Sequence, residues 1–136
     1  MAAGYSKRSL GEKLGIKPGM TVIALGAPPN FAALVAPLPE GSSVRTRLTP
    51  GARFIHQFAC RRAELEAAFP RLAKALADDG TLWISWPKKA SGVETDLTEE
   101  VLREVGLPLG LVDVKVCAVD AVWSGLKFVR RKENRR

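Results

Sequence analysis

Two short runs, Thr21–Gly26 (TVIALG) and Thr81–Trp86 (TLWISW), contain almost no polar residue. A strand with one solvated face alternates apolar and polar side chains, and these runs do not alternate. Each is therefore expected to be buried on both faces, as the strands of parallel sheets are. Such a sheet needs helices above and below it, and the segments between the strands must supply them. The chain reads accordingly as alternating strands and helices.

Ser9 and Glu12 have capping-box spacing, which predicts a helix over Leu10–Leu14 that stops at Gly15. Pro18-Gly19 is a turn, and Asn30 is placed to cap a helix over Phe31–Pro37, cut short by Pro37 and Pro39. Ser43–Leu48 (SVRTRL) alternates weakly, as a strand near a sheet edge would, and Ala52–Ala59 is the next strand. A helix over Arg61–Ala77 places Leu65, Ala68, Phe69, Leu72 and Leu76 on one face, with Pro70 expected to bend or divide it. Asp78-Asp79-Gly80 should end it. Asp96 and Glu99 predict a further helix over Leu97–Val105, ending at Gly106. Leu111–Val119 and Val122–Arg131 flank an Asp120-Ala121 turn and should pair antiparallel. The expected architecture is one α/β domain over residues 1–136: a Rossmann-like three-layer sandwich on a mostly parallel sheet, with short flexible basic ends at 1–8 and 130–136.

Charge bears on function only after it is divided along the chain. Of the net +7, residues 127–136 contribute six Lys/Arg against one Glu, and residues 1–17 contribute four against one. The remaining residues hold eleven Lys/Arg and twelve Asp/Glu, so the body is close to neutral. Basic ends can hold phosphates nonspecifically, but the aromatics do not interleave with the basic runs in the way a stacking platform requires. Tail-mediated nucleic-acid binding is thus an alternative and not the leading reading. No apolar run is long enough to cross a bilayer, so a membrane is not an expected partner. The start MAAGYSKRSLGEKLG lacks the apolar core of a secretory signal. Two separated cysteines, Cys60 and Cys117, fit a reducing cytoplasm.

LGIKPGMTVIALGAPPN resembles the first motif of class I S-adenosylmethionine-dependent methyltransferases, and ALADDGTLWISWPK resembles a later helix-to-strand element of that family. More narrowly, WPKKASGVETDLTE and LGLVDVKVCAVD resemble a family of small bacterial proteins of unknown function with this layout. The resemblance implies a degenerate methyltransferase-like fold with the parent's third strand missing, since Leu48–Ala52 leaves no room for it. In the parent's numbering the strand order is then 2-1-4-5-7-6, strand 7 antiparallel. The resemblance also shows what has changed. The carboxylate expected near the end of the first strand is replaced by Ala24, Gly26 is kept, and the next two glycines become Pro28 and Asn30. Proline has no N–H and its ring obstructs close approach. SVRTRL offers no acid for ribose hydroxyls. No S-adenosylmethionine or other cofactor is expected.

Ligands of such sheets bind beyond the carboxyl ends of the strands. Gly26, Asn30, Trp86, Lys88, Lys89 and Ser91 fall there and are the candidate ligand-binding residues. Lys88, Lys89 and Ser91 precede a helix N-terminus and suit a small anion, with a solvated loop capped by Thr95 or Asp96 as the plain reading. Cys60, beside Arg61 and Arg62, is a candidate reactive thiol, against an ordinary structural cysteine. His56, the only histidine, shares a strand face with Phe54 and Phe58, as a packed imidazole would. No metal set, G-x-S-x-G elbow or phosphate loop is present. The expected function is a binding or interaction module for a protein partner or small anionic ligand. An enzyme of unrecognised chemistry at the same edge is the alternative, and the terminal hairpin offers an edge for a homodimer.

Overall fold

The computed structural model describes residues 9–134. The expected flexible segment 1–8 lies outside them. At the other end Arg130 closes a strand, with its guanidinium donating to the carbonyls of Ala73 (2.7 Å) and Leu76, and Lys132–Asn134 form a single 3-10 turn. Arg131 N also donates to the Gly110 carbonyl at 3.0 Å, so Arg130 and Arg131 are both bonded to the body of the fold.

The elements run α1 (Leu10–Leu14), β1 (Thr21–Leu25), α2 (Phe31–Val35), β2 (Ser43–Arg45), β3 (Ala52–Phe58), α3 (Arg62–Ala75), β4 (Leu76–Pro87), α4 (Glu99–Gly106), β5 (Leu111–Ala118) and β6 (Trp123–Arg130). They build a six-stranded sheet in the order β2-β1-β3-β4-β6-β5. β1, β2, β3 and β4 are mutually parallel, and β6 runs antiparallel to both β4 and β5. Translated into the parent's numbering, this is the expected order with the third strand absent.

Both runs that opened the reading are buried on both faces, and their alternate residues feed two cores. On one side Ile23, Ile55, Leu82 and Ile84 pack against Leu65, Phe69 and Leu72 of α3 and Leu102 of α4. On the other, Val22, Ala24, Phe54 and Trp83 meet Leu14, Phe31 and Val35 of α1 and α2. Each fully buried large side chain contributes about 1.5–3 kcal/mol of hydrophobic transfer. The Trp83 indole also donates to the Leu14 carbonyl at 2.8 Å, which ties the end of α1 to the sheet. The capping box of α1 forms as expected: Glu12 N donates to Ser9 Oγ at 3.2 Å and Ser9 N to Glu12 Oε1 at 2.9 Å.

Four local expectations are corrected. Pro70 does not divide α3; it sits on the exposed side, where water can take the Glu66 carbonyl it leaves unbonded, while the buried face keeps the helix docked. Asp78-Asp79-Gly80 is not a turn closing a helix but a bulge within β4, because Ala52 pairs with Leu76 while Phe54 pairs with Thr81. A Cβ at Gly80 would be crowded there, 3.0 Å from the Ala52 and Ala77 carbonyl oxygens and 2.7 Å from the movable Leu76 Cδ1. β2 is only Ser43–Arg45, so SVRTRL is half strand and half loop. Finally, α4 begins two residues late: Thr98, not Asp96, caps it, accepting from Val101 N at 3.2 Å.

Candidate functional site

The strand order reverses between β1 and β3, and the crevice at their carboxyl ends is where a ligand of this fold would enter. Gly26 leaves β1 at φ +63°, a conformation that favours glycine, and a Cβ on it would lie 2.9 Å from the Phe58 carbonyl. The glycine is thus explained by the backbone of β3 pressing against it. Gln57 closes the remaining space: its Nε2 donates to the Phe58 carbonyl at 2.8 Å and the Leu25 carbonyl at 3.3 Å, bridging the two strand ends. Sequence reasoning missed Gln57, although a lone amide between His56 and Phe58 at a strand end was the available signal.

Around this closure lie two hollows of about 390 Å³ each. One is floored by Ala24, Pro28, Pro29 and Val44 and carries no charged group. The other is lined by Gln57, Phe58, Cys60, Glu64 and Trp123, so its only charge is a carboxylate. Asn30 is exposed and does not cap α2 through its side chain; its φ −91°, ψ 15° is not the extended backbone from which a cap reaches forward, and the Pro28 carbonyl already accepts from Phe31 N at 3.0 Å.

The loop after β4 does not converge on either hollow. Trp86 is buried in the α3-side core, and the tryptophan at the hollow is Trp123. Lys88 N donates to the Val122 carbonyl at 2.7 Å, joining this loop to the hairpin turn. Ser91 is spent internally, donating to the Lys88 carbonyl at 2.6 Å and accepting from Val93 N at 3.1 Å. Lys89–Ser91 form one 3-10 turn, far in sequence from the start of α4. Lys88 and Lys89 form no ion pair among the described residues, yet they line none of these hollows.

Helix N-termini at this edge are already filled by acids. Asp96 reaches across thirty-four residues so that its Oδ1 accepts from Arg62 N at 2.7 Å, while Glu64 Oε1 accepts from Cys60 N at 3.2 Å and Arg61 N at 3.3 Å. Thr95 Oγ1 completes the joint by donating to the Cys60 carbonyl at 2.5 Å. α4 opens on Glu99 and Glu100. These carboxylates satisfy the free N–H groups and the helix dipole that an anion would otherwise use.

This joint also decides the chemistry of Cys60. Burial and then the Glu64 carboxylate push its thiol up, and Arg61 opposes them only weakly. Arg62, expected to help, is committed to Glu66 and Glu104 at 2.8 and 2.9 Å. A raised thiol pKa disfavours the thiolate, which fits the structural cysteine better than the reactive one.

His56 is fully buried, stacked on Phe58 with ring centroids 4.3 Å apart and edge-on to Phe31 at 5.5 Å. Its Nε2 is hydrogen-bonded to Ser85 Oγ at 2.7 Å, and Nδ1 has no partner among the described residues. Desolvation pushes its pKa down to about 3, so the imidazole is neutral. It is a core residue with no route to either hollow. Among the described residues no group of His, Cys, Asp and Glu could hold a metal, and no helix is long and apolar enough to cross a membrane.

No family model matches the chain, and no curated protein matches it in sequence. Solved structures do. The fold is that of the S-adenosylmethionine-dependent methyltransferases. A SAM-dependent methyltransferase of Aquifex aeolicus superposes with a TM-score of 0.56 at 16% identity, covering 86% of this chain and 85% of that one. A chain of the complex formed by the Haloferax volcanii Trm112 methyltransferase activator superposes with a TM-score of 0.64 at 10% identity, covering 93% and 89%. Such low identities carry the architecture alone.

Proposed function

We propose that this chain is a methyltransferase-fold binding module that no longer takes the methyl donor. The observation that carries the reading is the closure of the β1–β3 crevice, where the Gln57 amide and the Phe58 carbonyl occupy the approach to Gly26. The loop chemistry agrees: Ala24 is a methyl group buried in the core, and Pro28 has no N–H to offer a carboxylate or hydroxyl. Whatever such a module binds, it binds without methyl transfer, in the reducing cytoplasm that its two free cysteines fit. Lys88 and Lys89 remain available as contacts for an acidic group on a partner protein or a small anion.

A second reading, association through β5, is favoured by one observation. Val114 and Val116 stand 50% and 48% exposed on this edge strand, an unusual placement for two β-branched apolar residues. The Haloferax volcanii neighbour comes from a complex with a methyltransferase activator, which keeps a protein partner in view for this fold.

Isothermal titration with S-adenosylmethionine and S-adenosylhomocysteine tests the leading reading. No heat is expected from the native chain. Saturable binding of either compound, weakened by Gly26→Ala, would mean that the crevice opens and that the proposal is wrong.

A further inference from the structure

A third hollow lies at the opposite edge of the sheet, beyond the amino ends of the parallel strands. It measures about 740 Å³, within the range of about 300–1,000 Å³ typical of small-molecule sites, and runs between the loop after α1 and the starts of β1, β3 and β4. Lys17 enters from the loop and Lys127 from the middle of β6. The hairpin register sets Lys115 of β5 directly across from Lys127; it does not line the hollow but adds a positive charge beside it. None of these three lysines has an acidic partner among the described residues. Asp79, the carboxylate that lines the hollow, is bonded to Arg53 at 2.6 Å, so the Arg53–Asp79 pair contributes no net charge. The hydroxyls of Thr21, Thr49 and Thr81 line the same space.

Lys17 and Lys115 both repel the Lys127 ammonium. That group is held below the ordinary lysine value by burial first, then by Lys115 and Lys17. A half-buried lysine in a strand flanked by Leu126 and Phe128 is costly unless a negative charge joins it. Ammonium point charges combined with several hydroxyl donors match a multiply charged oxyanion with many acceptor oxygens. The volume exceeds what one phosphate fills, and Pro18, Met20 and Ile23 give the remainder an apolar wall.

We propose that this amino-edge hollow is the binding site for a small phosphorylated molecule carrying a di- or triphosphate, held by Lys17, Lys127 and the surrounding threonines, with Lys115 adding to the positive field beside it. The site is independent of the crevice at the other edge: a positive result with S-adenosylmethionine would overturn the proposed function and leave this inference standing.

Isothermal titration of the full chain with pyrophosphate and ATP, at low and high salt, tests it. Pyrophosphate and ATP are expected to bind, with affinity falling as salt rises, and Lys17→Gln and Lys127→Gln should each weaken binding about tenfold. Lys88→Gln and Lys89→Gln, at the far edge, should leave it unchanged. Lys17 is exposed in a loop, so that variant folds even if the Lys127 change does not. Absence of binding, or binding indifferent to Lys17→Gln, overturns the proposal. So does a single-stranded RNA that binds where pyrophosphate and ATP do not, because the occupant would then be a nucleic-acid backbone.

Discussion

Acid sensitivity of this fold should trace to one residue. His56 is the only histidine, its pKa is about 3 when folded, and its ordinary value when unfolded is 6.5. A folded-state pKa below the unfolded one means that the unfolded chain binds the proton first. Stability is thus complete above about pH 6.5 and falls as pH drops through that value, the loss continuing toward pH 3. From pH 7 to pH 5 the unfolded histidine goes from mostly neutral to almost fully protonated, worth about 2 kcal/mol, or a fall in Tm of about 7 °C. Urea unfolding at pH 7, 6 and 5 measures it, in a range where most carboxylates are still ionised. His56→Asn should abolish this pH dependence whatever it does to absolute stability. Ser85→Ala should keep it, because burial among Phe31, Phe58 and Trp83 causes the shift and the hydroxyl does not. Parallel losses in the native and His56→Asn chains would refute the reasoning.

Other outcomes follow from the same geometry. Gly26→Ala should cost about 1–3 kcal/mol in urea unfolding, since the added Cβ meets the Phe58 carbonyl at 2.9 Å in a left-handed backbone. Asp96→Ala should lose about 1 kcal/mol by removing the cap on Arg62 N, and native-state hydrogen exchange should locate the loss at the first turn of α3. Cys60 should alkylate with iodoacetamide more slowly than a free thiol at neutral pH, and Glu64→Gln should speed it by removing the nearby carboxylate.

The sheet was legible because burial on both faces leaves a mark in every residue of a strand: TVIALG and TLWISW could not have been half-solvated, and the hairpin announced itself through Asp120, whose carboxylate accepts from Val122 N and Trp123 N at 2.8 Å each. What escaped were interactions that join distant segments. Asp96 looks like the start of its own helix and instead caps another one. Arg61 and Arg62 look like activators of Cys60 until their carboxylate partners are seen. Lys17, Lys115 and Lys127 meet only through strand register and a loop, and a single lysine inside WSGLKFVR was the faint local sign of it.

The short β2 and the register shift in β5 bear on how the molecule keeps to itself. A sheet ends in two rows of unsatisfied backbone groups, each a template for another chain. Here one row is three residues long, Ser43–Arg45. The other is interrupted at Val114, where β5 slips against β6 between Asp113 and Lys115. Neither edge offers an unbroken ladder along which a foreign strand could zip. Neighbouring molecules can therefore meet this one through side chains, but they find little backbone to extend its sheet.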